Sequence, residues 1–247
     1  MYENEPEKKV SKGLNVPTAI LLAGALIAGS YYFVNRSHVT TPNRDNTATV
    51  LDGQNLKTPV DPVTKEDHLL GNPQAKIVLI EYSDLECPYC KVFHKTMKKV
   101  MEDYAKDGTV AWVYRHFPLD TLHSKARKEA EAAECAAELG GNTAFWDFID
   151  SVYDITPSNN NLDASQLGTV AVKIGLEKSE FQSCLDSGKH ADKVEADYQS
   201  GLKAGTIGTP NTFLISTGND IIPIEGAESY SAIKGLINTI LTTSAQN

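Results

Sequence analysis

The sequence predicts an α/β fold in which a helical insertion separates two halves of a small sheet. Three observations predict it. First, the β-branched run Ile77-Val78-Leu79-Ile80 leads through Glu81–Glu86 into a stretch with Phe93, Met97, Val100, Met101 and Tyr104 at helical spacing. Second, helical patterning then continues for roughly 80 residues, over about 120–205. Third, Thr212–Ile215 and Ile221–Ile224 flank the turn Thr217-Gly218-Asn219-Asp220 as a hairpin, ahead of a closing helix.

Taken in order, residues 1–35 read as a cytoplasmic tail and a transmembrane helix that precedes this fold. Val16–Val34 is mostly apolar and uncharged, and as a helix it spans ~29 Å, close to the hydrocarbon thickness of a bilayer. Lys8, Lys9 and Lys12 precede it and Arg36 follows, which keeps the N-terminus cytoplasmic. Tyr31, Tyr32 and Phe33 fall where an aromatic belt would lie. The competing reading is a signal peptide cleaved at Ala28-Gly29-Ser30, which would leave a secreted protein. The apolar run continues past that site, which favours an uncleaved single-pass anchor. Either way the rest of the chain is extracytoplasmic, in the periplasm or outside the cell. Residues 36–58 are polar and without periodicity, a flexible linker.

The domain is expected over residues 59–247. Pro59–Val63 reads as an edge strand, where proline is tolerated. Asn72-Pro73 marks a turn before the strand Lys76–Tyr82. The next helix runs to about Lys106 and stops at Asp107-Gly108, and Thr109–Arg115 alternates as a second core strand. In the insertion, Ser124–Leu139 is alanine-rich and stops at Gly140-Gly141. Thr143–Asp154 carries Phe145, Phe148, Ile149 and Val152 on one face. Asp163 caps a helix that turns Leu167, Val170, Ala171 and Ile174 inward, and Glu177–Ser187 and Ala191–Lys203 are two more. Ser229 to about Thr242 closes the fold.

Cys87 and Cys90 fall where a strand hands over to a helix, Cys87 at the helix N-terminus and Cys90 one turn inside. Unpaired N–H groups and the positive end of the helix dipole favour the Cys87 thiolate. Pro88 suits the first turn, where no N–H donor is needed. A fall in the Cys87 pKa from ~8.5 to ~5, within the range of such sites, would favour the reduced form at pH 7 by ~2.7 kcal/mol, or ~60 mV. Haem attachment is excluded because Lys91, not His, follows Cys90. A zinc or copper site built on Cys87, Cys90 and His94 is the alternative from another class. It lacks a second Cys-x-x-Cys, because Cys135 and Cys184 are singletons. No metal and no cofactor is expected. The net charge of −9 and the lack of a basic stripe argue against nucleic acid.

Cys135 and Cys184 both fall on helices of the insertion and meet an oxidising compartment. A structural disulfide between them is expected, with two buried free thiols as the alternative.

The order strand, Cys87-Pro88-Tyr89-Cys90 helix, strand, helical insertion, then Gly208-Thr209-Pro210 before a hairpin resembles the DsbA-like branch of the thioredoxin superfamily, over nearly all of residues 59–247. Asp67-His68-Leu69-Leu70-Gly71, Tyr114–Leu119 and Glu134-Cys135-Ala136 resemble that family too. The resemblance implies a thioredoxin-like fold, Cys87 as the attacked sulfur and Cys90 as the resolving one. It makes Glu81 the buried acid that accepts a proton from Cys90, and Pro210 a cis-proline facing the pair. It also makes Pro88, Tyr89, Thr209 and Pro210 substrate contacts. Glu81 shares strand parity with Ile77 and Leu79, which agrees with burial over a solvent-facing position. A trans turn at Thr209-Pro210 is the competing reading there. Asp84 and Glu86 read as solvated loop charges, and His116 and His123 as structural or surface residues.

The expected activity is a monomeric, membrane-tethered protein disulfide oxidoreductase that introduces disulfides into exported, unfolded proteins. By resemblance, a quinone-coupled membrane protein re-oxidises it. A disulfide isomerase or reductase of the same fold is the rival within the class.

Overall fold

A computed structural model describes residues 60–218 and 220–244. The anchor expected at 16–34, the cleavage site Ala28-Gly29-Ser30 and the linker 36–58 lie outside the described residues. Among the described residues no helix is long and apolar enough to cross a membrane.

Five strands form one sheet: β1 (His68–Gly71), β2 (Ile77–Ser83), β3 (Val110–His116), β4 (Asn211–Ser216) and β5 (Ile221–Glu225), in the order β1-β3-β2-β4-β5. The central pair β2–β3 is parallel, with Ile77 opposite Val110 and Ser83 opposite His116. The other pairings are antiparallel. β2 is covered on both faces, so it reads as a continuous apolar run. Ile77 and Leu79 join the large core on one side; Ile80 and Tyr82 pack with Val113, Phe117 and Phe213 on the other.

Helix α1 (Pro88–Tyr104) crosses between β2 and β3. It buries Cys90, Phe93, His94, Met97, Val100 and Met101, the face that three- and four-residue spacing creates. Helix α2 (Ala126–Ile155) is two helices joined across a kink at Gly141, whose φ of 74° is open to glycine. The two stretches read from the sequence therefore run on with one break. α3 (Ser165–Lys173), α4 (Lys178–Ser187) and α5 (Ala191–Lys203) complete the insertion. Asp163 Oδ1 accepts from the Ser165 N–H at 2.9 Å, at the start of α3. α5 covers the second face of the sheet. At Gly201 a Cβ would come within 2.5 Å of the Phe117 ring, so glycine permits that approach. α6 (Tyr230–Ser244) packs beside α1, burying Ile233, Ile237 and Ile240. Cys135 of α2 and Cys184 of α4 are bonded, 49 residues apart in the chain.

The edge strand expected at Pro59–Val63 is not a strand over residues 60–63; His68–Gly71 takes that edge, antiparallel to β3. The reason is a side chain. Arg115 of β3 donates to the carbonyls of Asp61 (3.0 Å) and Pro62 (3.1 Å), so these carbonyls bind a guanidinium instead of a ladder. Arg115 also makes a forked pair with Asp67, Nε–Oδ1 2.7 Å and Nη2–Oδ2 3.1 Å, which fixes the approach to β1.

Candidate active site

β2 ends at Ser83, and a tight loop carries the chain to Cys87, the N-cap of α1. The loop folds around Asp84. Its Oδ1 accepts the Glu86 N–H at 2.8 Å, and its Oδ2 accepts from Leu119 N–H and His123 Nδ1, each at 2.8 Å. Asp84 and Glu86 are therefore buried, not solvated as expected from their place in a polar loop. Glu86 is held by the loop after α2: its carbonyl accepts the Asn159 N–H and its Oε2 the Asn160 N–H. Ser158, Asn159 and Asn160 turn through three consecutive positive φ angles to deliver those donors. The Glu86 carboxyl also meets that of Glu129. Burial and then the Glu86 neighbour push Glu129 up to about 9, which favours its protonated form at neutral pH. Burial places His116 and His123 in the structural class.

Cys87 and Cys90 are both free thiols, placed one helical turn apart. Cys87 keeps a 4 % exposed edge, whereas Cys90 is at 0 %. The Cys87 thiol falls from 9.0 to about 6, first through a hydrogen bond from Cys90, against the opposing effect of burial. The Thr209 hydroxyl and the backbone N–H groups of Cys90 and Tyr89 add to the fall. At pH 7 such a shift favours the reduced pair by at most about 1.4 kcal/mol, or about 30 mV. That is half the figure drawn from helix position alone, because the sulfur is more buried than an open helix end. Cys90 moves the other way, well above its usual range, through burial and the adjacent sulfur.

Opposite the pair, Thr209–Pro210 is a cis peptide, and Thr209 O lies 3.5 Å from Cys87 Sγ. Beneath it, Glu81 is fully buried and pushed up to about 7 by desolvation. Its Oε2 accepts from Trp112 Nε1 at 3.0 Å, while Oε1 has no partner among the described residues. The structure thus brings together Cys87, Cys90, Glu81, Thr209 and Pro210. Pro88 starts the helix, and Tyr89 is 67 % exposed beside the pair. Cys135 and Cys184 lie apart, in the insertion. His94 is turned to Asp150, Nε2–Oδ1 2.6 Å, and among the described residues it forms no three-ligand group with the cysteines.

Sequence reasoning missed Ser83, Trp112 and Tyr153. Ser83 shares parity with Glu81, a signal that was present; Tyr153 arrives from a distant helix, and nothing local marks it.

A family model described as Thioredoxin matches residues 63–239, more than half of the chain. The chain is 33 % identical over 159 residues to a protein named Na(+)/H(+) antiporter NhaA 3 from Salinispora tropica. That match takes 64 % of this chain but 23 % of the antiporter, so the chain spans about a quarter of the curated relatives it matches. Among solved structures, Wolbachia pipientis α-DsbA1 superposes with a TM-score of 0.66 at 24 % identity, covering 76 % of this chain and 98 % of that one. BdbD from Bacillus subtilis, in its oxidised form, gives 0.64 at 25 % identity, over 73 % and 96 %. The chain belongs to the thioredoxin family, in its DsbA-like form with a helical insertion.

Proposed function

We propose that this protein disulfide oxidoreductase introduces disulfide bonds into exported proteins through Cys87 and Cys90. The observation that carries the reading is the asymmetry of the pair. Cys87 keeps a small exposed edge and a lowered pKa, which favours its thiolate; Cys90 is fully enclosed with a raised pKa, which favours its thiol, and Glu81 nearby is raised to about 7.

In the oxidised enzyme a substrate thiolate attacks Cys87 Sγ, the Cys87–Cys90 bond breaks, and Cys90 leaves as a thiolate that takes up a proton. Glu81 supplies that proton, its raised pKa suiting transfer in either direction. A second substrate thiolate then attacks the substrate sulfur of the mixed disulfide. Cys87 leaves, the substrate disulfide forms, and two electrons remain on the enzyme dithiol. Thr209 offers its backbone to an extended substrate beside Cys87. Pro88, Tyr89 and Pro210 line the same approach, with Ile207 almost wholly exposed two residues before Thr209.

Anchoring through residues 16–34 would hold the domain on the outer side of the cytoplasmic membrane as a monomer. A quinone-coupled membrane protein would draw the electrons off. The Cys135–Cys184 bond is a structural tie within the insertion.

The test is Cys90→Ala in the full chain, expressed in cells. Exported proteins joined to Cys87, together with one membrane protein, are the expected captures. No mixed disulfide on Cys87 would contradict the reading, and a potential far below that of typical protein oxidants would turn it to a reductase.

A further inference from the structure

Glu86, the residue before Cys87, is fully buried and ties the reactive loop to the helical insertion. Its carbonyl accepts the Asn159 N–H at 2.9 Å, and its Oε2 accepts the Asn160 N–H at 2.6 Å. Its own N–H donates to Asp84 Oδ1 at 2.8 Å, and the Cys87 N–H donates to the Asp84 carbonyl at 3.1 Å. Past Cys87, one turn into α1, Lys91 Nζ donates to the Thr156 carbonyl at 2.6 Å. Residues 156–160, which follow α2, therefore grip the chain both before and after the reactive sulfur.

The loop that supplies these donors is strained. Ser158, Asn159 and Asn160 hold φ angles of 64°, 55° and 65°, a left-handed run of three residues without a glycine. A Cβ disfavours that region, and such backbone persists where its surroundings over-determine it. Asn160 Nδ2 donates to the Leu122 carbonyl at 2.8 Å, and Asn160 Oδ1 accepts the Lys125 N–H at 3.2 Å. Asn161 Nδ2 donates to the Ser158 carbonyl at 2.8 Å. Held in this way, two successive backbone N–H groups point at one residue, although Asn160 and Glu86 are 74 positions apart in the chain. The Cys87 thiol depends on alignment: the N–H groups of Tyr89 and Cys90 and the Thr209 hydroxyl lower its pKa from their fixed places. The help a helix end gives to an anion falls off within the first turn, so a sulfur that wanders loses it.

We propose that Glu86 is a positioning residue for Cys87, and that the Thr156–Asn160 loop is the latch through which the helical insertion holds the reactive sulfur in line with the N-terminus of α1. The inference rests on the reading of Cys87 as the attacked sulfur. No bond forms or breaks in this role. With the latch closed, the Asp84–Cys87 turn is fixed and the thiolate stays against its donors. With the latch open, the turn moves and the thiolate spends less time against them. The insertion thus shares in the redox chemistry without contributing a reacting atom.

The experiment is an ultraviolet titration of the Cys87 thiolate in the reduced protein, with the glutathione equilibrium at pH 7 measured on the same preparations. The parent midpoint should fall near pH 6. Glu86→Ala removes the acceptor and should raise the midpoint by about one unit, a tenfold change in the ionisation constant. At pH 7 that cuts the thiolate's advantage from about elevenfold to about twofold, so the glutathione equilibrium should move about fivefold toward the disulfide. Glu86→Gln keeps an acceptor oxygen of the same reach and should recover the parent midpoint. Asn160→Val lies in the insertion and should act as Glu86→Ala does, because a β-branched residue resists the left-handed φ. Asn160→Gly keeps the donor and the turn and should recover the midpoint. One arm needs no variant: in the parent protein the Asn159 and Asn160 N–H groups should be protected from hydrogen exchange, although Asn159 lies exposed.

If Glu86→Ala and Asn160→Val lose stability while their Cys87 midpoints and glutathione equilibria overlie the parent's, the contacts are a structural tie alone and the latch is overturned. A Glu86→Gln midpoint displaced as far as that of Glu86→Ala also overturns it, because Cys87 then senses a charge and not the hydrogen bond. Asn159 and Asn160 amides that exchange as fast as an open loop do the same. If the parent itself titrates near the ordinary 9, the reading of Cys87 fails and the latch falls with it. A parent midpoint near 6 that the variants leave in place sinks the latch alone.

Discussion

Cys87 Sγ and the carbonyl oxygen of Thr209 stand 3.5 Å apart, although 122 positions separate the two residues in the chain. The β2–β4 pairing makes the contact. Tyr82 lies opposite Asn211, so the loop before β4 arrives where the loop after β2 departs. One side of the reactive sulfur is therefore a helix N-terminus, and the other is backbone from the far half of the fold.

The Thr209 hydroxyl also pulls the Cys87 pKa down, although its buried Oγ1 makes no full hydrogen bond to any of the described residues. Thr209→Val keeps the shape and removes the donor. The Cys87 pKa should rise by about one unit, matching the loss of a charge-assisted hydrogen bond of about 1.5 kcal/mol. Ultraviolet absorbance of the thiolate against pH reads the shift. Because a higher thiol pKa disfavours the reduced form at neutral pH, the variant should also be a weaker oxidant.

Glu81 links the site to stability. Its carboxyl is raised to about 7 in the fold against 4.5 in an open chain, so burial favours the protonated form. The resulting stability is present in full below about pH 4.5 and is lost as pH rises through about 7. Glu81→Gln removes this loss. The variant should match the parent near pH 4.5 and exceed it by about 3 kcal/mol above pH 8. Denaturant unfolding with both proteins in the same redox state cancels the thiol titrations.

Arg115 is the anchor of the segment before β1, and Asp67 depends on it. Burial alone would raise the Asp67 pKa, but Arg115 holds it below the usual carboxylate range. Arg115→Met leaves that carboxylate buried and unpaired, at a cost of about 3–5 kcal/mol near pH 7. The deficit should shrink as pH falls through the carboxylate range, because Asp67 then protonates. Denaturant midpoints at neutral and acid pH check both parts.

The bond between Cys135 and Cys184 spans 49 residues of sequence. Replacing both with serine should lower stability by up to about 4 kcal/mol if the bond acts by restricting the unfolded chain. The catalytic pair lies elsewhere, so turnover of folded protein should be nearly unchanged. Thermal unfolding and an insulin-type thiol assay on the same preparation separate the two effects.

The core strands and α1 were legible because apolar periodicity is a local signal. Ile77–Ile80 and the Phe93–Met97–Val100 spacing need no partner to be read. The Pro59–Val63 stretch misled for the opposite reason. Its apolar and proline residues fit an edge, but which backbone pairs with β3 was decided by Arg115, a residue far along the chain. Asp84 and Glu86 were misread in the same way. Their charges suit a wet loop, and only the donors of Leu119, His123, Asn159 and Asn160 make burial tolerable. The dithiol was legible from spacing and context, whereas the hydroxyls around it come from separate elements and show only when the chain is folded.

The most direct measurement is the alkylation rate of each thiol in the reduced protein across pH, read by peptide mass spectrometry. Cys87 should reach half its maximal reactivity near pH 6, while Cys90 stays protected to far higher pH. Equal reactivity of the two thiols, or a Cys87 midpoint near the ordinary 9, would contradict the account.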